Sequence, residues 1–222
     1  DGLTYSAENL PPGAALDPQS GILTWHPHYD QAGDYAGIVV RADGKDQVIM
    51  TGCDLVTSFD PASGKKLWEI DGATTECVTS TVTDGKLIVT SGGYAENHIS
   101  AGRADGSGEV VWKNNTRVYV PSMLLADGYL YAVTDAGVAG CWEAATGKEQ
   151  WKNRLGGTFS SSPVLVGKLI YAINESGKAF VFAADPREFK AEGRGQLGDE
   201  VFATPTICGG RMYLRVAENT DA

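Results

Sequence analysis

The stretch DPASGKKLWEIDG, Asp60–Gly72, decides how this chain is read, because it returns twice. ADGSGEVVWKNN (Ala104–Asn115) and EAATGKEQWKNRLGG (Glu143–Gly157) repeat its order: an acidic or small-residue turn, a glycine, three residues, then tryptophan. A second marker, a short run leading to glycine and an apolar pair, recurs in STVTDGKLIV (Ser80–Val89), PSMLLADGYLYAV (Pro121–Val133), SPVLVGKLIYAI (Ser162–Ile173) and TPTICGGRMYLRV (Thr204–Val216). Its glycines, Gly85, Gly128, Gly167 and Gly210, lie 43, 39 and 43 residues apart, and Trp68, Trp112 and Trp151 step by 44 and 39. Two independent markers therefore share one period, and self-similarity at such a period signals a repeat architecture.

The third unit shows what repeats. YVPSMLLA, YLYAVTD, VAGCWEA and EQWKNRL read as four strands, with Gly128, Asp135–Gly137 and Thr146–Gly147 supplying turns. Four antiparallel strands in about forty residues is the pattern of a β-propeller blade. Blades packed on both faces explain continuous apolar runs such as LIYAI. The recurring tryptophan falls on the last, outermost strand, where a large ring can bury roughly 150–250 Å² against the next blade. Trp68, Trp112 and Trp151 are thus expected to dock blades, and alanine at any of them to cost several kcal/mol.

These closing motifs, with DPASGKKLW and WEAATGKEQW, resemble the pyrroloquinoline-quinone-type (PQQ-like) propeller repeat, from about Ile38 to Val216. The expected fold is all-β. PQQ-like blades would span 37–73, 77–115, 118–157 and 159–198, with a partial unit at 201–217, about four and a half repeats inside a domain of residues 37–222. The fourth unit departs from the pattern: FVFAADPREFKAEGRGQL (Phe180–Leu197) lacks the tryptophan, and Phe189 is the candidate substitute.

Residues 1–36 follow another pattern. Tyr5-Ser6, Leu10-Pro11-Pro12-Gly13, Leu16-Asp17, Gly21, Trp25-His26-Pro27 and Gln31-Ala32-Gly33-Asp34-Tyr35 resemble an immunoglobulin-like, cadherin-related module of bacterial surface proteins, here partial. GIVVRADG (Gly37–Gly44) fits either the module's last strand or the first strand of blade one.

Composition narrows the function. The chain has 222 residues, 42% hydrophobic and 21% charged, with 28 glycines, as expected of a globular domain of short strands and tight turns. A net charge of −10 without a basic block argues against nucleic acid. No apolar run reaches the length of a membrane-spanning helix. The opening at Asp1 reads as a mature, trimmed or internal segment. Cys53, Cys77, Cys141 and Cys208 form no C-x-x-C or adjacent pair, so small buried residues are expected, with a Cys53–Cys77 disulfide as the alternative.

Sites are sparse. His26 and His28, beside Asp30, have the spacing of a metal pair, but a proline interrupts them. Asp17, Asp30, Asp34 and Asp43 suggest calcium, without a D-x-D-x-D-G loop. His98 falls in an expected loop. The resemblance to quinoprotein dehydrogenases implies two adjacent cysteines, a tryptophan under the cofactor and a catalytic aspartate near calcium. Adjacent cysteines are missing from this sequence, and Trp142 is the one tryptophan outside the closing-strand series whose strand position bears watching. The expectation is a non-enzymatic propeller with no catalytic, cofactor or metal residues, recognising a protein partner through inter-blade loops in the periplasm or at the cell surface. A degenerate or partial quinone- or calcium-dependent dehydrogenase is the alternative. A further one resembles the propeller lipoprotein that helps assemble outer-membrane barrels.

Overall fold

The computed structural model describes residues 45–217 apart from residue 53, and the strand backbones at 15–16, 23–24 and 39–42. The chain divides into two compact units, Asp1–Ala36 and Gly37–Ala222. In the first, β1 (Ala15–Leu16) pairs antiparallel with β2 (Leu23–Thr24). The rest of the immunoglobulin-like pattern, His26, His28 and the carboxylates Asp17, Asp30, Asp34 and Asp43 lie outside the described residues.

The second unit consists of antiparallel sheets. Four strands, β3 (Val39–Ala42), β4 (Lys45–Gly52), β5 (Leu55–Phe59) and β6 (Lys66–Asp71), pair in chain order. The same meander is repeated by β7 (Val82–Thr83), β8 (Leu87–Gly92), β9 (His98–Arg103) and β10 (Val110–Asn114), and by β11 (Leu124–Ala126), β12 (Tyr129–Val133), β13 (Val138–Glu143) and β14 (Glu149–Arg154). A fourth comprises β15 (Val164–Val166), β16 (Leu169–Ile173), β17 (Lys178–Ala183) and β18 (Ala191–Gln196); β19 (Thr206–Cys208) and β20 (Arg211–Tyr213) form a two-stranded fifth sheet. No helix occurs among the described residues. The all-β propeller-blade reading stands, and Val39–Ala42 pairs with Lys45–Gly52 as the first strand of blade one.

Burial on both faces follows from the period of two along a strand. Along β12, Leu130 and Ala132 enter the core shared with blade two, while Tyr131 and Val133 enter the core shared with blade four. The first strands of blades are short because another set of bonds takes over. The Ser80 N–H donates to Ser122 Oγ (3.0 Å), that of Ser122 to Ser162 Oγ (2.9 Å), and that of Ser162 to Thr204 Oγ1 (3.0 Å). Tyr119 and Val120, expected within a strand, instead donate their N–H groups to the Asp135 carboxylate at 2.8 and 3.1 Å. A hydroxyl ladder thus links four successive blades where the sheets themselves cannot.

Each third-to-fourth strand pair carries a register shift at the same place. Trp68 lies opposite Ser58, Trp112 opposite Ala101 and Trp151 opposite Cys141, and the shift falls next to each pair. Such bulges re-aim a side chain. In blade four the corresponding pair is Gly193 opposite Val181. Glycine therefore occupies the tryptophan position. Phe189 packs on the ring of Trp151 at 5.5 Å, so it serves the boundary with blade three instead of replacing a tryptophan in blade four.

Candidate binding site between the first two blades

The closing-strand indoles reach the neighbouring blades. Trp112 Nε1 donates to the Ala144 carbonyl of blade three at 2.7 Å, and Trp151 Nε1 donates to the Asp185 carbonyl of blade four at 2.8 Å. Trp68 departs from this pattern: its ring lies against Gly106 of blade two, but its Nε1 donates to Gln47 Oε1 of its own blade at 2.8 Å. All three rings are half-buried. The fully buried indole is Trp142, 2% exposed, in the core between blades two and three, with Lys152 Nζ 5.6 Å from its ring centre.

At one end of the blades the β4–β5, β8–β9, β12–β13 and β16–β17 turns come together with the inter-blade connections. In blades three and four these turns end in Gly137 and Gly177, both at φ +72°, and their carbonyls accept N–H groups from Leu155 and Leu197 at 2.8 Å. Blade one has Asp54 in the same role, also at φ 72°, its carbonyl accepting from Ala73 at 3.2 Å. Asp is among the few residues tolerated in this left-handed region, at a cost that glycine does not carry. Its side chain accepts a hydrogen bond from Thr75 Oγ1 at 3.2 Å. Blade two differs again, with residues 93–97 forming a longer connection between β8 and β9 on which Tyr94 is exposed, as is Val78 on the connection from β6.

Between these elements lies a cavity of about 270 Å³, lined among others by Asp54 and Asp71 of blade one and by His98, Ser100 and Lys113 of blade two. His98 opens β9 and is 1% exposed; neither ring nitrogen makes a hydrogen bond of normal geometry, and the nearby Glu96 main chain and carboxylate only partly offset the lowering of its pKa. Its partner in the ladder is Gly92, and a Cβ there would sit 2.8 Å from His98 Cε1, so the ring fits only because residue 92 lacks a side chain. Burial, reinforced by the positive charge of Lys113, pushes the imidazole pKa below its ordinary 6.5 and favours the neutral ring. Lys113 Nζ is paired with Glu96 Oε2 at 3.2 Å, whereas Asp71 has no ion-pair partner among the described residues. A neutral imidazole can donate from one nitrogen and accept at the other.

A second cavity of about 470 Å³ lies beside Glu200, Phe202, Arg215 and Val216 at the fifth sheet. No cluster of three or more His, Cys, Asp or Glu arranged to hold a metal occurs among the described residues. Cys141 is buried and its thiol is pushed up to about 12 by desolvation, while Cys77 and Cys208 are free thiols and Cys53 lies outside the described residues.

Sequence reasoning placed His98 in a loop and passed over Asp54, Asp71 and Lys113. One signal was available: aligning TGCDL with TDAGV and NESGK shows an aspartate where blades three and four carry glycine. The convergence of the four side chains has no such signal, since they come from four segments of two blades.

No curated protein matches the chain. Among solved structures, BamB from Moraxella catarrhalis is 18% identical, with 91% of this chain and 72% of that chain aligned at a TM-score of 0.44. A chain of the mitotic checkpoint complex is 13% identical, with 71% of this chain and 53% of that chain aligned at a TM-score of 0.59, a likeness of fold alone. The family model described as outer membrane protein assembly factor BamB matches residues 14–118 and 95–188. The match begins inside the segment that resembles an immunoglobulin-like module, so part of that segment aligns with the propeller family. Since the match covers most of the sequence, the chain belongs to the outer membrane protein assembly factor BamB family.

Proposed function

We propose that this protein is a non-enzymatic propeller scaffold that binds protein partners during outer-membrane protein assembly, in a periplasmic or outer-membrane-associated setting. The observation that carries the reading is the family match over residues 14–188. The fold supports it. Blades fastened by indoles and a hydroxyl ladder form a rigid support, and recognition concentrates on loops held by such supports. The connection at residues 93–97 exposes Tyr94, and the connection from β6 exposes Val78; an exposed aromatic of this kind is enriched at protein interfaces. A quinone platform at Trp142 would require that ring to leave the core between blades two and three. An immunoglobulin-like spacer in residues 1–36 is a subsidiary part of the proposal.

The test is capture from detergent-solubilised outer membranes by the purified, immobilised chain, with the bound proteins identified by mass spectrometry. Enrichment of outer-membrane assembly components is expected, with loss in the Val78→Asp/Tyr94→Ala double variant and retention in Lys148→Glu at the opposite end of the blades. No enrichment, or equal loss from both ends, would sink the reading. Saturable quenching of tryptophan fluorescence by pyrroloquinoline quinone would overturn its non-enzymatic part.

A further inference from the structure

We infer that the cavity between blades one and two is a receptor for a guanidinium group, specifically an arginine side chain presented by a protein partner. The inference deepens the scaffold reading by naming what one of its recognition points takes, but its test requires no knowledge of the partner.

Charge is the first argument. Lys113 is engaged by Glu96 at 3.2 Å, which leaves the exposed carboxylates of Asp54 and Asp71 at the cavity without an ion-pair partner among the described residues. A cation is the complementary guest. Hydrogen bonding is the second. His98 is buried with both ring nitrogens unpartnered at this same cavity, and a buried polar atom without a partner costs free energy that a ligand N–H relieves. A neutral imidazole accepts at one nitrogen only, so the guest brings one donor to the ring and its others to the carboxylates.

Geometry then separates the candidate cations. No metal-holding group of three ligands is present among the described residues. An ammonium is a compact and strongly hydrated point charge, ill suited to desolvation beside a buried ring, whereas guanidinium is more weakly hydrated and carries five donors in a planar fork. Two carboxylates and one imidazole acceptor ask for such a fork.

Asp54 supplies the third argument. It holds a left-handed conformation at φ 72° that blades three and four give to glycine, so the carboxylate is kept at a position where the backbone favours its absence. In blade four the equivalent turn position has no room for a side chain: a Cβ on Gly177 would lie 2.1 Å from the Gly198 carbonyl oxygen. The glutamate in that turn, Glu175, accepts from Ser160 Oγ at 2.6 Å. Among the described residues, the boundary between blades one and two couples a cavity to carboxylates without an ion-pair partner and to a buried imidazole.

The experiment follows the ¹³Cε1–H resonance of His98 in the whole, histidine-labelled chain, assigned with His98→Gln, during titration with N-acetyl-arginine amide. A saturable millimolar shift is expected. N-acetyl-citrulline amide, the neutral isostere, should give none, and N-acetyl-lysine amide should bind more weakly. Asp71→Asn and Asp54→Gly should each weaken arginine amide about tenfold, the equivalent of 1.4 kcal/mol. Asp54→Gly installs the residue of the sister turns, so its melting temperature should not fall, which separates lost binding from lost folding. Absence of a saturable shift would overturn the proposal, as would equal responses to citrulline amide or lysine amide, or unchanged affinity in both variants. Tighter binding of free arginine than of the blocked amide would overturn the partner side chain as its source.

Discussion

The boundary between blades three and four and the boundary between blades one and two use the same strands for different ends. At the former, Phe159, Phe180, Phe182 and Tyr131 fill the core, and Trp151 sits edge-on to Phe182 at 6.3 Å and to Phe189 at 5.5 Å. At the latter the fully buried apolar cluster is Val56, Ile88 and Ala104, and a polar group replaces the aromatic one. Gln47 Oε1 accepts from Ser58 Oγ at 2.6 Å and from Trp68 Nε1 at 2.8 Å. Aromatic rings pack the boundary between blades three and four, whereas smaller and polar residues leave the boundary between blades one and two with a cavity and a buried histidine beside it. A repeat fixes that blades pack, and the residues at each boundary fix whether the result is a seal or a site.

The comparison can be broken most directly at the indoles, whose docking role we propose from their contacts. Trp151→Ala should cost about 3–4 kcal/mol, in the range for deleting large packed aromatics. Trp68→Ala should cost about 1–2 kcal/mol, because its ring meets a small turn and Gln47 keeps the bond from Ser58. Chemical denaturation of the two variants provides the measurement, and equal losses would show that the two boundaries are energetically alike.

A smaller effect separates two glycines at the same turn position. Gly147 lies at φ +70°, and a Cβ there would come within 2.5 Å of Trp112 from the preceding blade. Gly64, at φ +67°, has nothing within 4 Å. Both alanine variants bear the left-handed backbone cost of about 1 kcal/mol, and Gly147→Ala adds overpacking of about 1–2 kcal/mol. Similar melting temperatures for the two variants would remove the indole from the docking account.

The smallest effect is the dependence on pH. The His98 pKa is lowered by burial and by Lys113, with Glu96, Asp54 and Asp71 as the nearby acidic groups. The unfolded chain therefore binds a proton near pH 6.5 that the folded chain refuses, and stability rises with pH through this window. The contribution is complete above about pH 6.5 and is lost as pH falls toward the depressed folded value. Denaturation midpoints of the parent chain should drop between pH 7 and pH 5 more steeply than those of His98→Gln. Parallel slopes would show that the ring is not held neutral.

The period of the tryptophans and glycines disclosed the all-β class and the four-stranded unit, because each blade is local in sequence and its turns demand particular residues. The last-strand position of Trp68, Trp112 and Trp151 was legible for the same reason. Folding in three dimensions decided the rest. It put Val39–Ala42 into the first blade, where the alternation of the segment suited two neighbours equally. The register seats Gly193 at the fourth tryptophan position and leaves Phe189 against Trp151, a distinction that depends on one bulge and not on composition. It also buried Trp142 and brought Asp54, Asp71, His98 and Lys113 around one cavity. A cavity is what remains after two sets of side chains have packed against each other, so it belongs to a pair of blades and is written in neither of them alone.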